Sequence, residues 1–316
     1  MESKITDNVL NNLQTYSPLY NQYVLYPSLI KRGWIDYYYS SFEANQKNIR
    51  IFKAIDNESA VLVRLIDSDW DYEHFGFKVA KIDNPIVINK CMPKFAEDVL
   101  VQSLNDCKKR GVRLVVSRVN GDNLTFIHAL ERSGFKYYEN IIWAVAELSE
   151  VFDDRLDINN ISVFNPSVDD LNEIKHIAFN NQYQRGHYHC DEKISKESAN
   201  SLYAQWVQSA YDTGKLIVLV KDSSQIAGYF ICEIDEKLNT YFGVKYGRLQ
   251  SLAIDTSFRG KGLGKKLFEG TLNILNKAGC KYVDSGYATK NHISAKLHTE
   301  HKFMSVYEEI TMHLWI

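Results

Sequence analysis

At 316 residues, with 45% hydrophobic and 24% charged residues, the chain is ordinary globular protein, long enough for about two domains with sizeable cores. Its 37 Lys and Arg against 39 Asp and Glu leave a net charge of -2, so no overall field recruits nucleic acid or an anionic membrane. Five cysteines, Cys91, Cys107, Cys190, Cys232 and Cys280, are scattered without a C-x-x-C pair, which argues against both a disulfide framework and a zinc or other metal site.

Reduced thiols, a polar N-terminus without an apolar signal core and the lack of any run near 18 apolar residues predict a cytoplasmic protein outside the membrane. Residues 1–50 are rich in tyrosine, Tyr16, Tyr20, Tyr23 and Tyr26 preceding Tyr37, Tyr38 and Tyr39. Tyrosine packs its ring while its tip stays wet. An arm lying on the main body is the first expectation for this extension, and a stacking surface for a substrate ring the second.

From Ile51 to Ile66 the alternation predicts two strands around Asp56-Asn57. Next comes Asp69-Trp70-Asp71-Tyr72-Glu73-His74-Phe75-Gly76-Phe77, a predicted loop that crowds aromatic, imidazole and carboxylate groups, followed by a strand ending at Ile82. A helix from about Lys94 to Lys109 precedes a strand from Arg113 to Val119. A short helix from Leu124 to Arg132 and two strands, Phe135 to Glu139 and Ile141 to Leu148, complete this half.

The second half repeats that tail. Gly111 and Asn123 are 12 residues apart, as are Gly279 and Asn291; Phe135 and Phe303 each lie 24 beyond the same glycines. The offset is 168 without a gap, which implies a tandem. The expected organisation is therefore an extension over 1–50, a degenerate copy over 51–150 and a complete copy over 158–316. In the complete copy a strand from Ile161 to Phe164 leads to a capped helix from Leu171 to Phe179. A polar loop from Tyr183 to Asp191, a helix from Glu197 to Tyr211 and a hairpin of strands, Leu216 to Val220 and Ile226 to Glu233, come next.

The stretch from Arg248 to Gly270 carries the clearest chemistry. A strand to Ile254 and a turn to Phe258 open into Arg259-Gly260-Lys261-Gly262-Leu263-Gly264-Lys265 at the start of a helix. Glycines let backbone N–H groups approach phosphate oxygens, and the helix N-terminus adds unpaired donors and its positive dipole end. Lys265 stands where a dinucleotide fingerprint needs its third glycine, and a P-loop needs a different spacing and a hydroxyl. Leu263, Leu267, Ile274 and Ala278 make a core stripe on that helix, Gly279 an αL stop. A strand from Cys280 to Tyr287 and a helix from Asn291 to His301 follow.

Arg259, Gly262 and Gly264 resemble the R-x-x-G-x-G/A loop of the GCN5-related N-acetyltransferases, the GNAT superfamily. The resemblance implies an α/β (α+β) tandem GNAT-like fold: a mixed, mostly antiparallel twisted sheet flanked by helices, in a truncated N-terminal copy and a complete C-terminal one. It implies acetyl-CoA as acyl donor, with Gly260, Lys261, Leu263 and Lys265 completing the pyrophosphate grip, and Leu252, Ala253 and Ile254 holding the pantetheine arm and acetyl carbonyl. Along the last helix Asn291, Leu297 and Phe303 match the family pattern, while His298 stands at the position of the acid tyrosine and Lys302 at that of a glycine. A histidine can protonate a thiolate, so His298 is the candidate acid, with a structural role as the plain alternative. Glu233 and Asp191 are the candidate bases.

A narrower resemblance, to bacterial dTDP-fucosamine (dTDP-4-amino-4,6-dideoxygalactose) acetyltransferases, joins Trp70 to Gly76, Tyr188-His189-Cys190-Asp191 and Leu202-Tyr203-Ala204-Gln205-Trp206. It implies an amino-sugar nucleotide acceptor bound by Trp70, His74, Phe75, Tyr188 and His189. Another amine (an amino acid, a polyamine or a peptide) is the alternative acceptor, and an acyl-CoA-binding scaffold without turnover the alternative class. The partners expected are small molecules, without nucleic acid or membrane, and a homodimer stays open.

Overall fold

Apolar residues at a period of two become strands wherever one face can be buried, and those at 3.6 become helices. The computed structural model describes residues 47–55, 60–83, 85–88, 93–151, 159–181 and 183–316. Most of the Tyr-rich extension, the Asp56-Asn57 turn and the start of the second copy at Ile158 lie outside them. The first half runs β1 (Ile49–Ile55), β2 (Ala60–Asp67), α1 (Asp69–Phe75), β3 (Val79–Asp83), β4 (Ile86–Ile88), α2 (Pro93–Lys109), β5 (Leu114–Asn120), α3 (Leu124–Arg132) and β6 (Lys136–Glu147). The second half runs α4 (Leu148–Val151), β7 (Ile161–Val163), α5 (Leu171–Asn181), α6 (His187–Cys190), α7 (Lys196–Asp212), β8 (Leu216–Asp222), β9 (Gln225–Ile234) and α8 (Glu236–Phe242). It continues through β10 (Lys245–Ile254), α9 (Leu263–Lys277), β11 (Cys280–Ala288), α10 (His292–Glu300) and β12 (Met304–Trp315).

The repeat seen in the sequence is a repeat of elements. Shifted by 168, α3 coincides with α10 and β6 with β12 at both ends. Both helices are capped alike, by the side chains of Asn123 and Asn291. Shifted by 167, α1 coincides with α8, each ending on a left-handed glycine, Gly76 or Gly243. Neither of these helices was expected: Asp69 to Phe75 read as loop because its aromatic and charged residues show no apolar stripe, yet Ser68 caps it and Gly76 stops it.

Two compact units divide the chain, one of residues up to Ile142 with Val306–Ile316, the other Trp143–Ser305. In the first, β1, β2 and β3 are antiparallel neighbours, β3 pairs parallel with β5, and β5 pairs antiparallel with β12 through Trp315↔Leu114 to Glu309↔Asn120. In the second, β7, β8, β9 and β10 are antiparallel neighbours and β10 pairs parallel with β11, which has β6 on its far side. The sheets are thus mixed and mostly antiparallel, as expected. The two strands expected at Phe135 to Glu139 and Ile141 to Leu148 are one, β6; Asn140, polar between apolar runs, read as a break, but its side-chain nitrogen donates to Glu308 and the strand continues through it.

Each sheet is sealed by helices. In the first unit Val99, Leu100, Phe126 and Leu130 of α2 and α3 pack on Val61, Val63, Val115 and Met312. In the second, Leu267, Phe268, Leu272 and Leu275 of α9 pack on one face with Val218, Phe230, Leu249, Val283, Ala144, Ala146 and Leu148. Ile174, Ala178 and Val207 of α5 and α7 cover the other face at Leu219, Tyr229, Ile231 and Ala253. Each large side chain sealed this way contributes about 1.5–3 kcal/mol. Among the described residues no helix is long and apolar enough to cross a membrane.

Candidate active site

The glycine-rich loop follows β10 as the sequence predicts. Asp255 caps a single 3-10 turn, Thr256–Phe258, through the Ser257 amide. Gly260 and Gly262 both have left-handed φ, +79° and +76°, and a Cβ at either would meet no atom within 4 Å. These glycines therefore serve backbone shape and leave open space on the loop. Helix α9 starts on Gly262 with no side-chain cap, so the first-turn amides, Leu263 to Lys265, are offered outward with the dipole behind them. An anion fits such a cradle.

The cations around it are held in place by acids. Lys261 Nζ lies 2.7 Å from Asp222 and 5.2 Å above the Phe258 ring. Lys265 Nζ lies 3.4 Å from Glu300 and 4.0 Å from Glu269, while Arg259 Nε donates to the Ile254 carbonyl at 3.2 Å. Exposed pairs of this kind contribute little to stability, so a phosphate can take these partners over at small cost.

Beside the loop the sheet opens. The parallel rungs of β10 and β11 end at Leu249↔Ser285, yet β10 continues to Ile254, paired with β9 alone. A bulge between Leu249 and Ser251 turns β10 away at that point. From Gln250 to Ile254 the strand has no β11 ladder on one side, which opens that edge to an extended ligand. Leu252 and Ile254 border the α9 face and Ala253 the other. Gly228 makes the fit between β9 and β10 possible, since a Cβ there would stand 2.6 Å from the Ala253 carbonyl oxygen.

His298 lies on α10 and is 3% exposed. Its Nδ1 is 2.7 Å from the Ser294 carbonyl, which can only accept, so Nδ1 carries the proton. Nε2 is buried without a partner, among the rings of Phe268, Tyr287 and Phe303. Burial pushes the imidazole pKa down to about 4, against the Ser294 hydrogen bond, and His301 lowers it further. At neutral pH its free nitrogen therefore holds a lone pair, the state of a base rather than an acid. Asn291 caps α10 by accepting from the Ser294 amide at 3.2 Å.

The polar loop folds in part into α6, where a loop was expected. His189 Nε2 bonds Asn200 Oδ1 at 2.8 Å, and its ring stacks on Tyr203 at 5.7 Å, which stacks on Trp206 at 6.4 Å. Two short motifs far apart in sequence thus meet as one aromatic ladder. Burial lowers the His189 pKa, with the Asn200 bond opposing. Tyr188 is buried against His187, and Asp191, 1% exposed, accepts from the Lys193 amide to close a turn. Glu233, 27% exposed, is held by Lys215 at 2.8 Å and by Gln250 at 2.8 Å.

Trp70, His74 and Phe75 belong to the first unit, on α1, with Trp70 and His74 rings stacked at 6.3 Å and Phe75 on Phe77 at 5.5 Å. The helix is anchored by buried Asp71, whose carboxylate meets Lys81 at 2.5 Å. In the second copy the same place is filled by α8, so its recurrence in both copies follows from the repeat without any acceptor.

Two features escaped the sequence reading. Asp284, 2% exposed within β11, is gripped by Arg248 at 3.1 and 3.2 Å, and Arg248 also reaches Asp235 at 3.2 Å. Burial pushes the Asp284 pKa up against the pull of Arg248. A carboxylate inside an apolar strand was the available signal. The other is Tyr287, whose ring lies 4.5 Å from that of His298, a strand-to-helix contact with no sequence signal.

Residues 172–303 match the model of the acetyltransferase (GNAT) family. No curated protein sequence matches the chain. Among solved structures, a GCN5-related N-acetyltransferase from Sphaerobacter thermophilus aligns with a TM-score of 0.56 at 10% identity, over 89% of this chain and 85% of that one. A tandem GNAT protein from the clavulanic acid biosynthesis pathway aligns with a TM-score of 0.50 at 11% identity, over 90% and 88%. A glucosamine N-acetyltransferase region of a fungal multi-domain GH3 beta-N-acetylglucosaminidase aligns with a TM-score of 0.61 at 11% identity, over 99% of this chain and 37% of that one. The fold is a tandem GNAT-like fold, and the family match makes the protein an acyltransferase of the N-acetyltransferase kind.

Proposed function

We propose that the protein transfers an acetyl group from acetyl-CoA to the amine of a small acceptor, with a nucleotide-linked amino sugar of the dTDP-4-amino-4,6-dideoxyhexose type as the favoured acceptor. The observation that carries the cofactor assignment is the uncapped start of α9, with two left-handed glycines and no atom within 4 Å of where their Cβ atoms would be. A pyrophosphate would be held there by the amides of Leu263, Gly264 and Lys265 with Arg259 and Lys261. The pantetheine arm would lie along Leu252, Ala253 and Ile254, on the edge without a β11 rung, where peptide groups would replace its hydration and polarise the thioester carbonyl.

The amino-sugar reading is supported by the ladder of His189, Tyr203 and Trp206, an aromatic and imidazole surface of the kind that stacks on rings, and by the acceptor named for the fungal relative. Glu233, the more exposed of the two candidate carboxylates, is the proposed base; Asp191 shapes the loop. Attack is proposed to be direct: Cys232 and Cys280, on the strands flanking β10, are buried, and burial pushes their thiols up to about 12 and about 11. The proposed setting is the cytoplasm.

Release of CoA thiol by purified protein, offered dTDP- and UDP-linked amino sugars beside polyamines, amino acids and peptides, tests the reading. Turnover with the sugar nucleotides is expected. Turnover confined to peptides would remove the sugar, and tight CoA binding without turnover on any amine would favour a scaffold.

A further inference from the structure

Helix α9 carries Lys265 in its first turn and Glu269 one turn later, so the two side chains share one face. Lys265 Nζ stands 3.4 Å from Glu300 and 4.0 Å from Glu269, and Glu300 lies 3.6 Å from Lys296. A lysine between two carboxylates is drawn away from an anion on the loop. What else occupies Glu269 therefore decides how much of the Lys265 charge is left for one.

His301, which ends α10 and is 8% exposed, takes the other side of Glu269. Its Nε2 lies 3.1 Å from Glu269 Oε1 and its Nδ1 2.7 Å from the Leu297 carbonyl, and its ring rests on Phe268 at 5.2 Å. A carboxylate and a carbonyl only accept, so the two bonds together call for a proton on both nitrogens, the imidazolium. The other titratable groups beside the ring are His298 on its own helix, whose charge it opposes, and Lys302, next in the chain. Two lysines and the imidazolium against two carboxylates leave the cluster one positive charge. A neutral ring leaves none.

The first copy provides the comparison. Glu97 and Arg132, each 168 residues before Lys265 and Glu300, form the same bridge between α2 and α3 with the charges exchanged, at 2.5 Å. The bridge therefore belongs to the scaffold, and the second copy has turned its cation toward the glycine-rich loop. Glu269 and His301 are different: their places in the first copy are Val101, 51% exposed, and Ser133. The helix pair packs without them, so their presence beside the loop asks for another reason.

We propose that Glu269 and His301 are positioning residues for cofactor binding, the imidazolium holding Glu269 so that Lys265 is left to the pyrophosphate; this rests on the acetyl-CoA reading above. Loss of one unit charge about 10 Å from a doubly charged pyrophosphate in water changes affinity about fivefold.

Calorimetry with CoA at pH 6 tests this on the wild type, His301→Gln, Glu269→Gln and the double variant, with melting temperature as the control for folding. Glutamine keeps a donor at position 301 without the charge, so His301→Gln should bind CoA about fivefold more weakly. Glu269→Gln should bind at least as tightly as the wild type, and added to His301→Gln it should restore wild-type affinity. A structural role predicts two losses that add. Unchanged affinity in His301→Gln, or a double variant no tighter than His301→Gln, overturns the proposal. A second measurement needs no substitution: with histidine labelled by heavy nitrogen, both ring nitrogens of His301 should appear protonated in the CoA complex at pH 6. A neutral ring in that complex overturns the proposal alone, whereas no CoA binding by the wild type overturns the reading it rests on.

Discussion

The two copies of the repeat share the bounds of their last helix and strand and differ in the residues where chemistry would occur. Helices α3 and α10 have the same length and the same asparagine cap. Yet Leu130 of the first is His298 in the second, Gly134 is Lys302, and Cys91-Met92-Pro93-Lys94-Phe95-Ala96-Glu97 stands 168 residues before Arg259-Gly260-Lys261-Gly262-Leu263-Gly264-Lys265. In the first copy β3 and β5 stay paired through Asp83↔Arg118, one rung beyond the place that matches Leu249↔Ser285, where β10 and β11 part. The scaffold tolerates both states, and the glycine-rich loop proposed to hold the cofactor is in the second copy.

The comparison breaks most severely if either copy stands alone. The second core contains Ala144, Ala146 and Leu148, and the first unit takes Val306–Ile316 from the end of the chain. A fragment of residues 158–316 therefore loses the strand beside β11 and several kcal/mol of apolar burial. It should show no cooperative urea transition by circular dichroism; a transition like that of the full chain would refute the exchange of strands.

Next in size is the loop. Replacing Arg259–Lys265 by the seven residues of the first copy should weaken CoA binding about 10³-fold, roughly 4 kcal/mol, because two left-handed glycines become residues with Cβ atoms and the N-terminal amides lose their approach. Calorimetry decides this, with the melting temperature as the control for folding. Gly264→Ala alone should be nearly silent, since its Cβ would sit 3.5 Å from Ile254 and the first copy has Ala96 there.

Converting His298 to the leucine of the first copy should alter stability against pH. The folded imidazole, at about 4, binds its proton less readily than the unfolded one near 6.5, so unfolding takes up a proton as the pH falls between those values. The wild type should lose about 3 kcal/mol over that window, with full stability from this group above it. His298→Leu should remove that loss in urea titrations at pH 7, 5.5 and 4; an unchanged dependence would place the histidine in contact with water.

The smallest effect concerns Lys302, a non-glycine residue at φ +56° where the first copy has Gly134 at +88°. Lys302→Gly should stabilise by about 1 kcal/mol, since a Cβ in the left-handed region is strained. A lower denaturant midpoint would mean that the lysine side chain contributes more than its backbone costs.

How much was legible follows from range. Elements with strong periodicity, such as α9, and elements with local stops, such as the Asn291 cap and Gly279, lay open to reading because their signals are a few residues long. Helices α1 and α8 did not, since their stability comes from caps and from the sheet beneath them. The motifs around His189 and Trp206 could be quoted from the sequence, but their meeting through Tyr203 could not. The acid shows the same limit: position 298 follows from spacing, while its burial and the committed proton depend on what surrounds it.

By itself the sequence determined that the chain is a tandem and which copy has the glycine-rich loop, and it led to the cofactor proposed for that loop. These are properties of neighbouring residues, encoded by backbone freedom and helix periodicity over short spans. Only the tertiary structure decided that the final strand completes the first unit, that β10 and β11 part after Leu249, and that His298 is sealed. Those outcomes depend on strand register and burial among residues distant in the chain, where packing and desolvation outweigh local preference.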